Sequence, residues 1–164
     1  MNYLNKKCIA DMEIRNKAVF LRCDFNVPID ATGHITDTDR IEKSLDTIKY
    51  LIQNKAKTII CSHLGRPSGT VNKKYSLEPV AKYLSTRLNQ NITLIDDLTG
   101  DNAHNVIKSL KPGDVCLLEN IRFDERECKN DPNFAKLLAS LAEVYVNDAF
   151  GTCHRAHAST EGIA

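Results

Sequence analysis

Ala18-Val19-Phe20-Leu21-Arg22-Cys23-Asp24-Phe25-Asn26-Val27-Pro28 passes from an apolar run into Arg, Asp and Asn where a buried strand should end. In an open parallel α/β sheet the ligand crevice lies outside the carboxyl ends of the strands, so polar groups at such a tip are site candidates. The pattern recurs downstream. Thr58-Ile59-Ile60-Cys61 runs into Ser62-His63-Leu64-Gly65-Arg66-Pro67, and Val115-Cys116-Leu117-Leu118 runs into Glu119-Asn120-Ile121-Arg122-Phe123. Short β-rich runs near 18–23, 57–61, 92–95, 115–118 and 143–147 alternate with stretches of helical period, which predicts an α/β fold with a parallel sheet.

The intervening helices follow from spacing. Ile41, Leu45, Ile48 and Ile52 form one stripe, with Asp39 and Glu42 as a capping box and Arg40 in the first turn. A second helix starts from Ser76 as N-cap, accepts Pro79 in its opening turn and buries Val80, Leu84 and Leu88. A shorter one covers Asn102 to Leu110. Asp131-Pro132 opens a last helix whose buried stripe is Phe134, Leu137, Leu138 and Leu141. Lys111-Pro112-Gly113-Asp114 is a turn, and Ala31-Thr32-Gly33-His34 marks the tip of a small β-excursion.

Composition excludes several classes of function. At 164 residues the chain suits one domain, 1–164. The 22 Lys+Arg balance 21 Asp+Glu at a net charge of +1, which leaves no bulk field to recruit nucleic acid or an anionic membrane. No apolar run approaches the roughly 18 residues of a transmembrane helix. Met1-Asn2-Tyr3-Leu4-Asn5-Lys6-Lys7 lacks a signal-peptide core, so the expected compartment is cytoplasmic. Cys8, Cys23, Cys61, Cys116, Cys128 and Cys153 contain no Cys-x-x-Cys, and His154 with His157 lack a third ligand, so no metal site is expected.

Arginines carry the chemistry. Arg22, Arg40, Arg66, Arg122 and Arg155 fall in or just beyond element ends, and their planar forks pair bidentately with phosphate or carboxylate. Each charge-assisted bond contributes about 1.5–3 kcal/mol, so several together suit a small multivalent anion. Asp24 and Asn26 leave the same face of an extended segment. A carboxylate in an anion pocket makes sense if it accepts a proton from a ligand hydroxyl or orients an arginine. His63, if protonated, would add positive charge. Neither a Gly-x-x-x-x-Gly-Lys-Ser/Thr loop nor a Gly-x-Gly-x-x-Gly fingerprint is present, which removes a dinucleotide-dependent oxidoreductase from contention. A non-catalytic anion-binding module remains the rival to an enzyme, and gene length separates the two.

The motifs Arg22–Pro28, Ser62–Pro67, Leu118–Phe123 and Asn147–Thr152, extended by Ile35–Ile41 and His154–Ser159, resemble the phosphoglycerate kinase family over nearly the whole chain. The resemblance implies a Rossmann-like parallel sheet sandwiched by helices, the N-terminal lobe of a two-lobed enzyme. It implies transfer of a phosphoryl group between 1,3-bisphosphoglycerate and ADP, giving 3-phosphoglycerate and ATP. The matching substrate positions are Asp24, Phe25, Asn26, Arg40, His63, Leu64, Gly65, Arg66, Arg122 and Arg155. Arg66, Arg122 and Arg155 would grip the 3-phosphate, Asp24 and Asn26 the hydroxyl end, and Arg40 would act catalytically near the carboxylate. Mg-ATP or Mg-ADP would be bound by a C-terminal lobe, absent from this chain, so the fragment is expected to bind the acid as a monomer without turning over. Arg126 and Cys128 depart from a usually acidic run in the family, with consequences expected only at the surface.

Overall fold

Strand β1 (Ala18–Cys23) is buried almost from end to end, as befits a central strand covered on both faces. The structure, a computed structural model, describes residues 7–152 and 155–164. Residues 1–6, on which the reading of the chain's start rests, and Cys153 and His154 lie outside them. Around β1 are β2 (Lys57–Cys61), β3 (Thr93–Ile95), β4 (Val115–Leu118) and β5 (Val144–Asp148), in the spatial order β3-β4-β2-β1-β5 with every pairing parallel. Arg22 stands level with Cys61 on one side and Asn147 on the other, so three strands end side by side.

The period-2 alternation of each strand divides the core between two faces. Val19, Leu21, Ile60, Val115 and Leu117 pack under α1 (Asp39–Gln53) and α2 (Glu78–Leu88). Phe20, Ile59, Cys61, Cys116 and Leu118 pack under α3 (Asp101–Ser109) and α5 (Pro132–Ala139). Each fully buried Leu, Ile or Phe contributes about 1.5–3 kcal/mol of transfer free energy, and this layering supplies the bulk of the stability. Between α3 and α5 lies the short α4 (Glu125–Cys128), and a π-helical turn (Ala158–Gly162) packs against α4 and α5. Neither was anticipated from periodicity, which short elements do not display.

Several helix ends differ from expectation. Thr38, not Asp39, is the N-cap of α1; its own side chain makes no cap bond, and Asp37 Oδ1 accepts from the Asp39 N–H at 2.9 Å instead. Glu42 is drawn instead to Arg87, with Nε at 2.8 Å and Nη2 at 2.7 Å, so a tertiary ion pair displaces the local box. Leu51 is fully buried and Ile52 only partly, because the stripe drifts around the helix. Leu77 holds the N-cap position of α2, although Ser76 Oγ still accepts from the Glu78 N–H at 3.1 Å. Asp131 caps α5 through the Phe134 N–H at 2.8 Å, with Pro132 at its first position. Leu137, expected inside, is exposed. The excursion after β1 is present as an Ile29–Ile35 antiparallel bridge. Among the described residues no helix is long and apolar enough to cross a membrane.

Candidate functional site

A cavity of about 240 Å³ opens at the carboxyl edge of the sheet, lined by Asp24, Asn26, Arg40, His63, Gly65, Arg66, Arg122, Gly151 and Arg155. Each segment enters for a stated reason. β1 delivers Asp24 and Asn26, β2 delivers His63 to Arg66, β4 delivers Arg122, and the chain beyond β5 delivers Gly151 and Arg155. Four arginines face one carboxylate. Arg66, Arg122 and Arg155 also line an adjoining cavity of about 380 Å³ together with Asp124, Cys128 and Lys129.

The loops are braced to one another by hydrogen bonds. Asn26 Oδ1 accepts from the Gly65 N–H at 2.8 Å, Arg122 Nη1 donates to the Gly65 carbonyl at 2.9 Å, and Ser62 Oγ accepts from the Phe25 N–H at 2.8 Å. Gly65 sits at φ +60°, and a Cβ there would fall 2.5 Å from the Tyr75 ring, so both conformation and space require glycine. Asn120, fully buried, accepts from the Leu64 and Arg122 N–H groups and donates to the Leu64 and Tyr75 carbonyls. No role for Asn120 follows from the sequence alone. A buried amide that satisfies four backbone groups is the staple between the exits of β2 and β4.

Asp24 meets one of the two conditions set for a carboxylate here, since Oδ2 holds Arg40 Nη1 at 2.5 Å. Its Oδ1 accepts from the Asn26 N–H at 3.3 Å, an Asx turn. Phe25 and Leu64 are placed differently from the other expected residues, because both side chains belong to the core and neither residue lines the cavity. Arg22 is not one of the arginines facing the cavity. It lies on the Phe20 side of β1 and is fully buried beneath the cavity floor.

Electrostatics inside the site favour an anion. Burial lowers the Arg122 guanidinium from the usual arginine value, and repulsion from Arg155 and Arg22 adds to the effect. Its Nε is buried without a partner among the described residues. A cation so placed is relieved by a bound oxyanion.

His63 corrects an expectation. Burial first, then the charges of Arg22, Arg122 and Arg155, push it down to about 2, so the ring is neutral rather than a further cation. The unfolded chain takes up this proton below its ordinary value near 6.5 and the folded chain does not, so stability falls as pH drops through that point. Between pH 6.5 and 5 the expected loss from this one group is about 2 kcal/mol. Histidine side-chain resonances should show His63 uncharged from pH 8 to pH 5, and denaturation of a His63→Gln variant should show a shallower acid slope. Titration of His63 near 6.5 would overturn both.

Asp124 to Lys129 also differs from expectation. Arg126 pairs with Asp124 at 2.7 Å and covers the Phe134 ring at 4.7 Å, while Glu127 is fully buried. Glu127 turns inward because it bonds Ser159 Oγ and N, at 2.6 and 2.8 Å. Burial raises its carboxyl above the usual range, against the lowering effect of those bonds and of Arg22. Cys61 and Cys116 behave as small core hydrophobes, each pushed up to about 12 by burial.

Comparison with known proteins places this architecture. The family model for phosphoglycerate kinase matches residues 9–164. A phosphoglycerate kinase of Koribacter versatilis is 52% identical over 166 residues, covering 98% of this chain and 41% of that protein. One from Clostridium kluyveri is 53% identical over 161 residues, covering 97% and 40%. The solved phosphoglycerate kinase of Coxiella burnetii superposes with a TM-score of 0.86 at 43% identity, over 94% of this chain and 38% of that one. That of Pyrococcus horikoshii gives 0.85 at 38% identity, over 94% and 39%. The chain therefore spans about two fifths of the length of the relatives it matches. With a match across nearly its whole extent in both sequence and fold, this chain belongs to the phosphoglycerate kinase family.

Proposed function

We propose that residues 1–164 are the N-terminal, acid-binding lobe of a phosphoglycerate kinase, taking 3-phosphoglycerate or 1,3-bisphosphoglycerate in the arginine-lined cavity. The carrying observation is the convergence of Arg40, Arg66, Arg122 and Arg155 on one small cleft, with a buried Arg122 Nε that has no partner among the described residues. Arg66, Arg122 and Arg155 bind the 3-phosphate, Asp24 and Asn26 the hydroxyl end. Arg40, steered by Asp24, faces the carboxylate or acyl phosphate. Phosphoryl transfer is catalysed mainly by alignment and by neutralising charge on the equatorial oxygens, so a guanidinium at that end suits the task.

Mg-ATP or Mg-ADP does not fit the residues in hand. The cleft presents guanidinium groups around Asp24, a donor set suited to the acid's oxyanions rather than to a magnesium ion. The nucleotide half of the reaction is assigned to the part of the relatives' length that this chain does not cover. The lobe alone binds the acid, is inactive as a kinase, and works as a monomer in the cytoplasm.

Titrating 3-phosphoglycerate into this polypeptide in a calorimeter is the direct test. Saturable one-site binding that inorganic phosphate competes away is expected, with no turnover when ATP is added. Absence of binding at millimolar acid would overturn the reading. In a polypeptide of the relatives' full length, Arg40→Ala should lower kcat on the order of tenfold and raise KM less, since its charge matters most as the transition state forms. A pure rise in KM in steady-state assays would move Arg40 to a binding role.

A further inference from the structure

Beneath the cleft runs a buried polar chain that the proposed function leaves without a task. Arg22 donates from Nε to Ser159 Oγ at 2.8 Å, from Nη1 to the Cys23 carbonyl, and from Nη2 to His63 Nδ1 at 3.3 Å. The Ser159 hydroxyl in turn donates to Glu127 Oε1 at 2.6 Å, and its N–H donates to Oε2 at 2.8 Å. Arg22, Ser159 and Glu127 are each fully buried, and they come from β1, the π-helical turn and α4. Taking such a pair of charges out of water costs several kcal/mol per ion, and residues of similar volume without charge would pack the same space.

The polarity of one contact decides what this chain of bonds does. A guanidinium carries five N–H donors and no acceptor, so His63 Nδ1 must accept and can hold no proton. Asp24 Oδ1, the other group near Nδ1, is 4.0 Å away and too far to compete for it. A neutral ring with a bare Nδ1 carries its proton on Nε2. Among the described residues Nε2 bonds no protein group, and the ring lines the anion cavity.

We propose that Arg22, held in place by Ser159 and Glu127, is a positioning residue that locks His63 in the Nε2–H tautomer. His63 thereby offers the cleft one fixed N–H donor for an anionic oxygen and never a lone pair that would repel it. Without Arg22 the two tautomers of a neutral imidazole interchange, and the Nδ1–H form turns an acceptor toward the ligand. The assignment rests on the phosphoglycerate reading for the identity of the anion, but the tautomer itself is a property of the ligand-free chain.

Long-range proton–nitrogen spectra of this chain with labelled histidine, recorded without ligand at pH 7, test it directly. Expected is a single species with pyridine-type Nδ1 and pyrrole-type Nε2 at His63. An Nδ1–H ring, a mixture or an imidazolium would overturn the proposal. Arg22→Met should give mixed tautomers and weaken 3-phosphoglycerate binding about tenfold, the worth of one hydrogen bond. A folded Arg22→Met chain that keeps the pure Nε2–H ring would also overturn it. Should that variant not fold, Ser159→Ala keeps Arg22 but removes its Nε acceptor, and partial mixing is expected; an unmixed ring there overturns the role of Ser159 and Glu127. A pure Nε2–H ring in a chain that binds no 3-phosphoglycerate would support the positioning role and overturn the substrate reading alone.

Discussion

Arg122→Ala should weaken binding of 3-phosphoglycerate to this chain by about 2–4 kcal/mol, a loss of roughly 30- to 900-fold by calorimetric titration. Arg122 is 7% exposed, so the phosphate oxygens it would meet are largely desolvated and gain no water in its place. The same substitution removes the bond from Nη1 to the Gly65 carbonyl, loosening the backbone beside His63. Arg122→Lys should fall between the two, since an ammonium keeps the charge without the two-pronged fork. Affinity unchanged in Arg122→Ala would take this residue out of the site and with it the central argument for a phosphate subsite.

Asn120→Ala should destabilise the fold by about 3–5 kcal/mol in chemical denaturation, with the slope against denaturant unchanged. The amide serves the Leu64 N–H, the Leu64 and Tyr75 carbonyls and the Arg122 N–H, at 3.2, 2.7, 2.9 and 3.1 Å. Each orphaned buried group costs about 1–3 kcal/mol, reduced here because water enters part of the space vacated. Asn120→Asp should be nearly as damaging, because it retains the acceptor but points a carboxylate oxygen at two carbonyls. A loss below about 1 kcal/mol would mean that the β2 and β4 exits are held by other contacts. Acid binding should fall along with stability, since Leu64 and Arg122 stand on either side of the staple.

Much of this was legible in order along the chain. Alternation and apolar runs place all five strands to within a residue or two, since a parallel sheet covered on both faces must be apolar on both. Asp131 and Pro132 mark the start of α5 because a cap and a donor-free first residue act within a single turn. The arginine cluster was legible too, since strand tips in such a sheet share one edge. Arg22 escaped that reading. One strand residue separates a guanidinium that faces ligand from one that faces core, and only the partner on the far side of the chain distinguishes them. Glu127 is the same case: its run reads as a solvated face until Ser159, 32 residues on, supplies two donors.

Local order therefore determined the strands, the helices and the edge at which the arginines collect, because those depend on side-chain spacing within a few residues. Tertiary structure alone decided the charge and proton placement of His63, the burial of Arg22 and the pairing of Glu42 with Arg87. These depend on partners such as Ser159, 137 residues from Arg22, and on a desolvation that no single segment can impose on itself.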